Sequence, residues 1–173
     1  MSATEAVRTL LEDSFGRLHE LVGGITDGLS REQGAYRPDP EANSIAWLLW
    51  HATRIQDDHI AGLAGAEQVW PQWRDRFGLP LGPWDTGFGH SSEQVGQVQA
   101  EASDLTGYHA DVHRFSLDYV RGLSADDLAA IVDESWDPPV TASARLVSVI
   151  GELNQHLGQA AYVRGLAERA GIR

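Results

Sequence analysis

The 173-residue sequence contains no cysteine and no lysine, since all 13 of its basic residues are arginine. Without cysteine the chain forms no disulfides, no thiolate zinc sites and no thiol nucleophile of its own. Without lysine it has neither Schiff-base chemistry nor the lysine of a phosphate-binding P-loop. A metal site in this chain must therefore use histidine and carboxylates, and thiol chemistry must take its sulfur from a small molecule.

The charge balance is strongly acidic, with a formal net charge of -12. Such a surface repels phosphate backbones and anionic lipids, so we expect neither nucleic acid nor a membrane as a partner. No apolar run approaches the roughly 18 residues that a membrane helix needs, and the first residues are polar rather than signal-like. We therefore expect a cytoplasmic protein.

Apolar residues repeat at helical spacing in four segments, which predict four long helices. These segments are residues 4–29, 44–63, 103–122 and 143–170. The stretch between the second and third helices is rich in Trp, Pro and Gly and is long enough to cross a helical bundle. Together these features predict an all-α four-helix bundle with a long crossing connection, formed as one domain over residues 1–173.

The last predicted helix carries Glu152 and His156 four residues apart, which places both side chains on one face. They form either a metal-binding pair or a hydrogen bond that orients one histidine, and the spacing alone leaves both open. His51, at the edge of the apolar face of the second helix, is the third candidate ligand. Two histidines and one carboxylate with an open fourth position are typical of catalytic zinc sites, and the same ligands also hold Fe(II).

Other histidines fit this group less well. His59 lies eight residues after His51, about 12 Å along a helix, so both cannot bind one ion, and we predict a core histidine there. His109 and His113 point away from the apolar face of the third helix, which predicts that they face solvent. His90 lies in a glycine-rich loop and is a candidate for the mouth of a site.

Two motifs resemble those of the DinB superfamily of metal-dependent four-helix-bundle proteins. One is Ser44-Ile45-Ala46-Trp47-Leu48-Leu49-Trp50-His51, and the other is His156-Leu157-Gly158-Gln159 in the final helix. Many members have a third histidine where this chain has Glu152. With a carboxylate at this position, the chain resembles the actinobacterial branch of the superfamily that uses mycothiol. That branch contains maleylpyruvate isomerases and stand-alone S-transferases. The isomerases carry an additional C-terminal domain, for which 173 residues leave no room, so we expect the stand-alone transferase.

The resemblance implies a detoxifying S-transferase that joins mycothiol to an electrophile. It implies a divalent metal ion on His51, Glu152 and His156, with zinc first and nickel, iron or manganese as alternatives. Tyr36 and Arg54 are candidates to bind the thiol cosubstrate. We expect Trp70, Trp73, Trp84 and His90 either to wall an electrophile pocket or to anchor the long connection.

Two other functions are compatible with the sequence. In a metal-dependent hydrolase of a small amide or ester, the open coordination position would hold a water molecule with a lowered pKa. In a non-catalytic binding protein, which would include a homodimer, the Glu152–His156 pair would be structural.

Overall fold

Helices make up most of the computed structural model, which describes residues 2–173. In chain order they are α1 (Ala3–Thr26), α2 (Arg31–Ala35), α3 (Ile45–Ala64), α4 (Arg74–Phe77), α5 (Ser92–Gln97), α6 (Ala102–Gly122), α7 (Ala125–Ala129) and α8 (Ala142–Arg169). A hairpin of two short antiparallel strands, β1 (Ile131–Asp133) and β2 (Val140–Thr141), separates α7 from α8. The prediction of an all-α bundle is confirmed, and the hairpin is an addition that the sequence did not predict.

Hydroxyl side chains cap the beginnings of α1, α3 and α8. The Ser44 side chain accepts a hydrogen bond from the backbone of Trp47 at 3.1 Å, and Thr141 does the same for Ala144 at 3.2 Å. Such caps satisfy amide groups that have no partner within the helix. Within residues 2–173, no helix combines the length and the apolar composition that spanning a bilayer requires.

The helices α3 and α6 pack side by side and run in the same direction. Thr53 lies 3.3 Å from His109, and Gln56, one turn further along α3, donates to Ser116 at 2.8 Å. A tight turn cannot join two parallel neighbours, so the chain between them must return along the length of the bundle. The connection does this over residues 65–101, as the sequence predicted.

A buried carboxylate fastens the start of this connection to the bundle. Asp57 accepts hydrogen bonds from the backbone of Val69 and of Trp70, both at 2.8 Å, and from the Tyr108 hydroxyl at 2.7 Å. Its side chain has no exposed area, and burial raises the pKa of the Asp57 carboxyl although these hydrogen bonds oppose the shift. The connection is therefore attached to α3 and α6 at once.

Three histidines stack in the interior, which corrects two predictions from the sequence. His109 is 1% exposed rather than solvent-facing, and the half-buried His19 and His113 pack against each other with ring centroids 4.4 Å apart. The reason is that α6 packs against both α1 and α3, so its buried face is wider than one apolar stripe. His19 lies in the α1–α6 contact.

The stacked rings are not arranged as ligands of one metal ion. Their planes lie within 19° of parallel, so one ion cannot lie in the planes of all three rings. The Thr53 hydroxyl donates to Leu49, so it can only accept from His109 Nδ1, which leaves the buried His109 Nε2 as an unpaired acceptor. Burial, reinforced by His19 and His113, lowers the pKa of His109 to about 3.

We expect the free energy of unfolding to fall as the pH is lowered from about 6.5 towards 4. In the unfolded chain His109 takes up a proton near its ordinary pKa of about 6.5, whereas in the folded chain it does so near 3. The unfolded state therefore binds more protons in this range, and stability falls by up to about 1.4 kcal/mol per pH unit for this one residue. Urea unfolding at several pH values measures the effect.

The His109→Gln variant is the matched comparison, because it keeps a polar side chain that does not titrate. Its stability should change less between pH 6.5 and pH 5 than that of the original chain. An identical pH dependence in the two proteins would contradict the assignment of a neutral buried His109.

Candidate metal centre

Three side chains from α3 and α8 meet at one carboxylate oxygen. His156 Nε2 lies 3.0 Å from Glu152 Oε1, and His51 Nε2 lies 3.5 Å from the same atom. One ligand atom from each residue lies within 4.8 Å of the other two. The structure thus brings together the three candidate ligands that the sequence singled out.

The backbone of the long connection orients His51. Its Nδ1 lies 2.6 Å from the carbonyl oxygen of Thr86, which can only accept a hydrogen bond. In the neutral ring the hydrogen is therefore on Nδ1, and the lone pair is on Nε2, directed towards Glu152. Burial is the main factor that lowers the pKa of His51, while the Thr86 carbonyl opposes the shift. A neutral imidazole with a free Nε2 is the form that binds a metal ion.

Trp47 supplies the aromatic wall of the centre. Its ring stacks on His51 with centroids 4.5 Å apart and meets the His156 ring edge-on at 6.1 Å. Its Nε1 donates to His90 Nδ1 at 3.1 Å, and His90 Nε2 lies 2.9 Å from Asp85 Oδ1. This chain of hydrogen bonds holds the loop of residues 85–90 against α3, next to His51.

Gly87 lets this loop approach α3 closely. A Cβ atom at this position would lie 2.9 Å from His51 Nδ1 and 3.0 Å from the Trp50 ring, and the φ angle is +93°. Every other residue type would therefore collide with His51 in a backbone conformation that disfavours a side chain. The position of the Thr86 carbonyl depends on this glycine.

The donor set fits a divalent metal ion. At bond lengths of 2.0–2.2 Å, the ligands of a tetrahedral zinc ion lie roughly 3.3–3.5 Å from one another. The two nitrogen–oxygen separations of 3.0 and 3.5 Å are close to this spacing, and all three ligand atoms lie within 4.8 Å of one another. His156 Nδ1 lies 3.3 Å from Gln159 Oε1, an orienting contact of the kind that metal-bound histidines make through their second nitrogen. The Glu152 side chain is 37% exposed, so the centre opens to solvent on that side.

The position of Arg54 argues against its predicted contact with a thiol cosubstrate. The side chain is fully buried, and its guanidinium donates to Gln68 at 2.8 Å, to Tyr108 at 3.2 Å and to the Asp85 carbonyl at 3.1 Å. These hydrogen bonds tie the long connection to α3. The guanidinium is therefore already bound by groups of the protein itself. Tyr36 ends α2 half-buried against the core, and its contact with a cosubstrate stays a prediction.

Two of the three tryptophans of the connection anchor it to the bundle. Trp70 is 3% exposed and donates to the Pro83 carbonyl, and Trp73 donates to Asp111 at 3.0 Å. Trp84 is 60% exposed. The aromatic wall is instead Trp47, which the sequence placed four residues before His51 on the same helix. That i, i+4 relation was the signal by which it could have been found.

His59 is less buried than the sequence predicted. Its side chain is 30% exposed, and Nδ1 lies 4.0 Å from Asp58 Oδ2. Burial and the nearby Arg145 lower the pKa of His59. It is therefore a boundary residue between α3 and α8 rather than a core histidine.

Comparison with known proteins agrees with this fold. The crystal structure of a conserved protein from Enterococcus faecalis is 29% identical to this chain and superimposes with a TM-score of 0.85. The match covers 95% of this chain and 96% of that one. No curated protein matches significantly. The sequence model of the mycothiol S-transferase family matches residues 7–168.

We expect Gly87→Ala to destabilise the protein more than Gly89→Ala. Both glycines have positive φ angles, but only Gly87 lies where a Cβ atom would meet His51 and the neighbouring rings. Backbone strain therefore destabilises both variants. Overpacking adds about 1–3 kcal/mol of destabilisation in Gly87→Ala alone. Urea unfolding of the two variants measures the difference. Equal losses would show that the loop does not lie against His51.

Proposed function

Because the chain belongs to the mycothiol S-transferase family, we propose that it joins the sulfur of mycothiol, or of a similar small thiol, to an electrophilic compound. In this proposal His51, Glu152 and His156 hold a divalent metal ion. The observation that supports it is the convergence of three ligand atoms within 4.8 Å. The proposed reaction needs a reduced thiol, which agrees with the cytoplasm as its site.

The metal would act on the thiol cosubstrate. A free thiol has a pKa of about 8.5 and is mostly protonated at neutral pH, and a metal ion with an open coordination position lowers the pKa of a thiol bound there. Zinc is the ion that we propose, since two histidines, one carboxylate and an open position form one of its catalytic ligand sets.

The chemical step is a substitution at carbon. The thiolate sulfur forms a carbon–sulfur bond with the electrophile, the leaving group departs with the bonding electron pair, and the thiol proton passes to solvent. The chain's own residues orient the reactants. The Thr86 carbonyl fixes the His51 ring, Trp47 covers the apolar side of the centre, and the half-exposed side of Glu152 leaves room for the thiol to enter.

We expect the zinc-loaded protein to catalyse the conjugation of mycothiol to monobromobimane. The product carries a new thioether, and its fluorescence gives the rate. A rate equal to that of the uncatalysed reaction would contradict the proposal. Hydrolysis of a small ester or amide by the same preparation, without conjugation, would identify a metal-dependent hydrolase instead.

We expect Glu152→Gln to lower zinc affinity by at least about 100-fold, because even residues that only orient metal ligands contribute 10–100-fold. The change keeps the size of the side chain and removes its charge. Gln155→Ala, at an exposed position of the same helix, is the control and should bind zinc like the unaltered protein. Calorimetric titration measures both. Unchanged affinity in Glu152→Gln would exclude the carboxylate as a ligand.

A further inference from the structure

A polar cleft lies between α3, α8 and the β-hairpin, apart from the three candidate ligands. Its volume is about 300 Å³, and it is lined by Asp58, His59, Gly62, Leu63, Val132 and Arg145. None of these residues belongs to the metal centre. The cleft is therefore a separate feature of the surface that the proposed chemistry leaves without a role.

The cleft lies along the same pair of helices as the metal centre. His59 follows His51 by eight residues on α3, about 12 Å of helix, and Arg145 precedes Glu152 by seven residues on α8, about 10 Å. His51 lies next to Glu152, and His59 shares the cleft with Arg145, so α3 and α8 run antiparallel. The step from His51 to His59 and the step from Glu152 to Arg145 therefore run in the same direction along the bundle. A molecule bound at both places would span about 10–12 Å.

Hydrogen-bond donors and acceptors are mixed in the cleft. Arg145 is paired with Asp133 at 2.9 Å, which balances its charge. The Asp58 side chain is 44% exposed and accepts from Gln68 at 2.7 Å, and the nearby His59 offers ring nitrogens. An anion would meet the Asp58 carboxylate and the acidic surface of the chain. A neutral group with many hydroxyls, each of which donates and accepts, is the complementary ligand.

We propose that this cleft binds the hydroxyl-rich part of the thiol cosubstrate while its sulfur lies at the metal centre. This inference rests on the proposed function. Mycothiol carries its thiol on an acylated cysteine and its hydroxyls on two linked rings, so sulfur and hydroxyls lie far apart in one molecule. His59 is then a specificity-determining residue that selects sugar-bearing thiols over small ones.

Kinetics with two thiols test this role. In the His59→Leu variant, the KM for mycothiol should rise about tenfold, the effect of losing one or two hydrogen bonds, with kcat nearly unchanged. The KM for N-acetylcysteine, which has no sugar, should not change. Tyr162→Leu is the control, because this exposed residue lies 17 positions from Arg145 on α8, roughly 25 Å of helix. Equal changes for both thiols, or none for either, would overturn the assignment.

A binding measurement separates the cleft from the chemistry. S-methyl mycothiol has no thiol to ionise, so its calorimetric titration into metal-free protein reports the cleft alone. We expect binding that His59→Leu weakens about tenfold. No binding by the unaltered protein would overturn the cleft assignment even if conjugation occurs. Binding that depends on His59, without conjugation of any thiol, would support the cleft and contradict the proposed transferase.

Discussion

The packing of α6 and of the long connection against α3 depends on one buried carboxylate, Asp57. A carboxylate with no exposed area is costly to bury unless hydrogen bonds replace its water. Asp57 obtains them from the backbone of Val69 and Trp70 and from the Tyr108 hydroxyl. The equally buried Arg54, whose guanidinium lies 3.4 Å from Asp57, compensates the charge, and the three hydrogen bonds satisfy the carboxylate oxygens as acceptors. The carboxylate therefore requires that α6 and the start of the long connection pack against α3 at the same time.

Arg54 extends this constraint to the metal centre. Its guanidinium donates to Gln68 near the start of the connection and to the Asp85 carbonyl just past its middle. The next residue, Thr86, carries the carbonyl that fixes the His51 ring. The long connection thus places the Thr86 carbonyl next to His51 Nδ1, because the buried Arg54 side chain of α3 binds two separate parts of the connection. Local sequence around His51 contains no sign of this dependence.

The long helices could be predicted because their apolar periodicity is a local signal, and their ends fall within about three residues of the prediction. The pair of Glu152 and His156 was likewise visible as an i, i+4 spacing, and the reach of one ion excluded His59. Contacts between distant segments were not visible. His109 is buried because α6 packs on two neighbours, and Arg54 bonds to a loop that has no periodicity.

Composition and fold both suit the proposed reaction with an electrophile. The absence of cysteine and lysine removes the side chains that electrophiles modify most readily. Histidine remains as a nucleophile, and the candidate metal centre needs it. The fold protects several of these rings, since the exposed fractions of the His51 and His90 side chains are 5% and 3%. In the proposed reaction, the sulfur of the cosubstrate would then be the one accessible strong nucleophile near the centre.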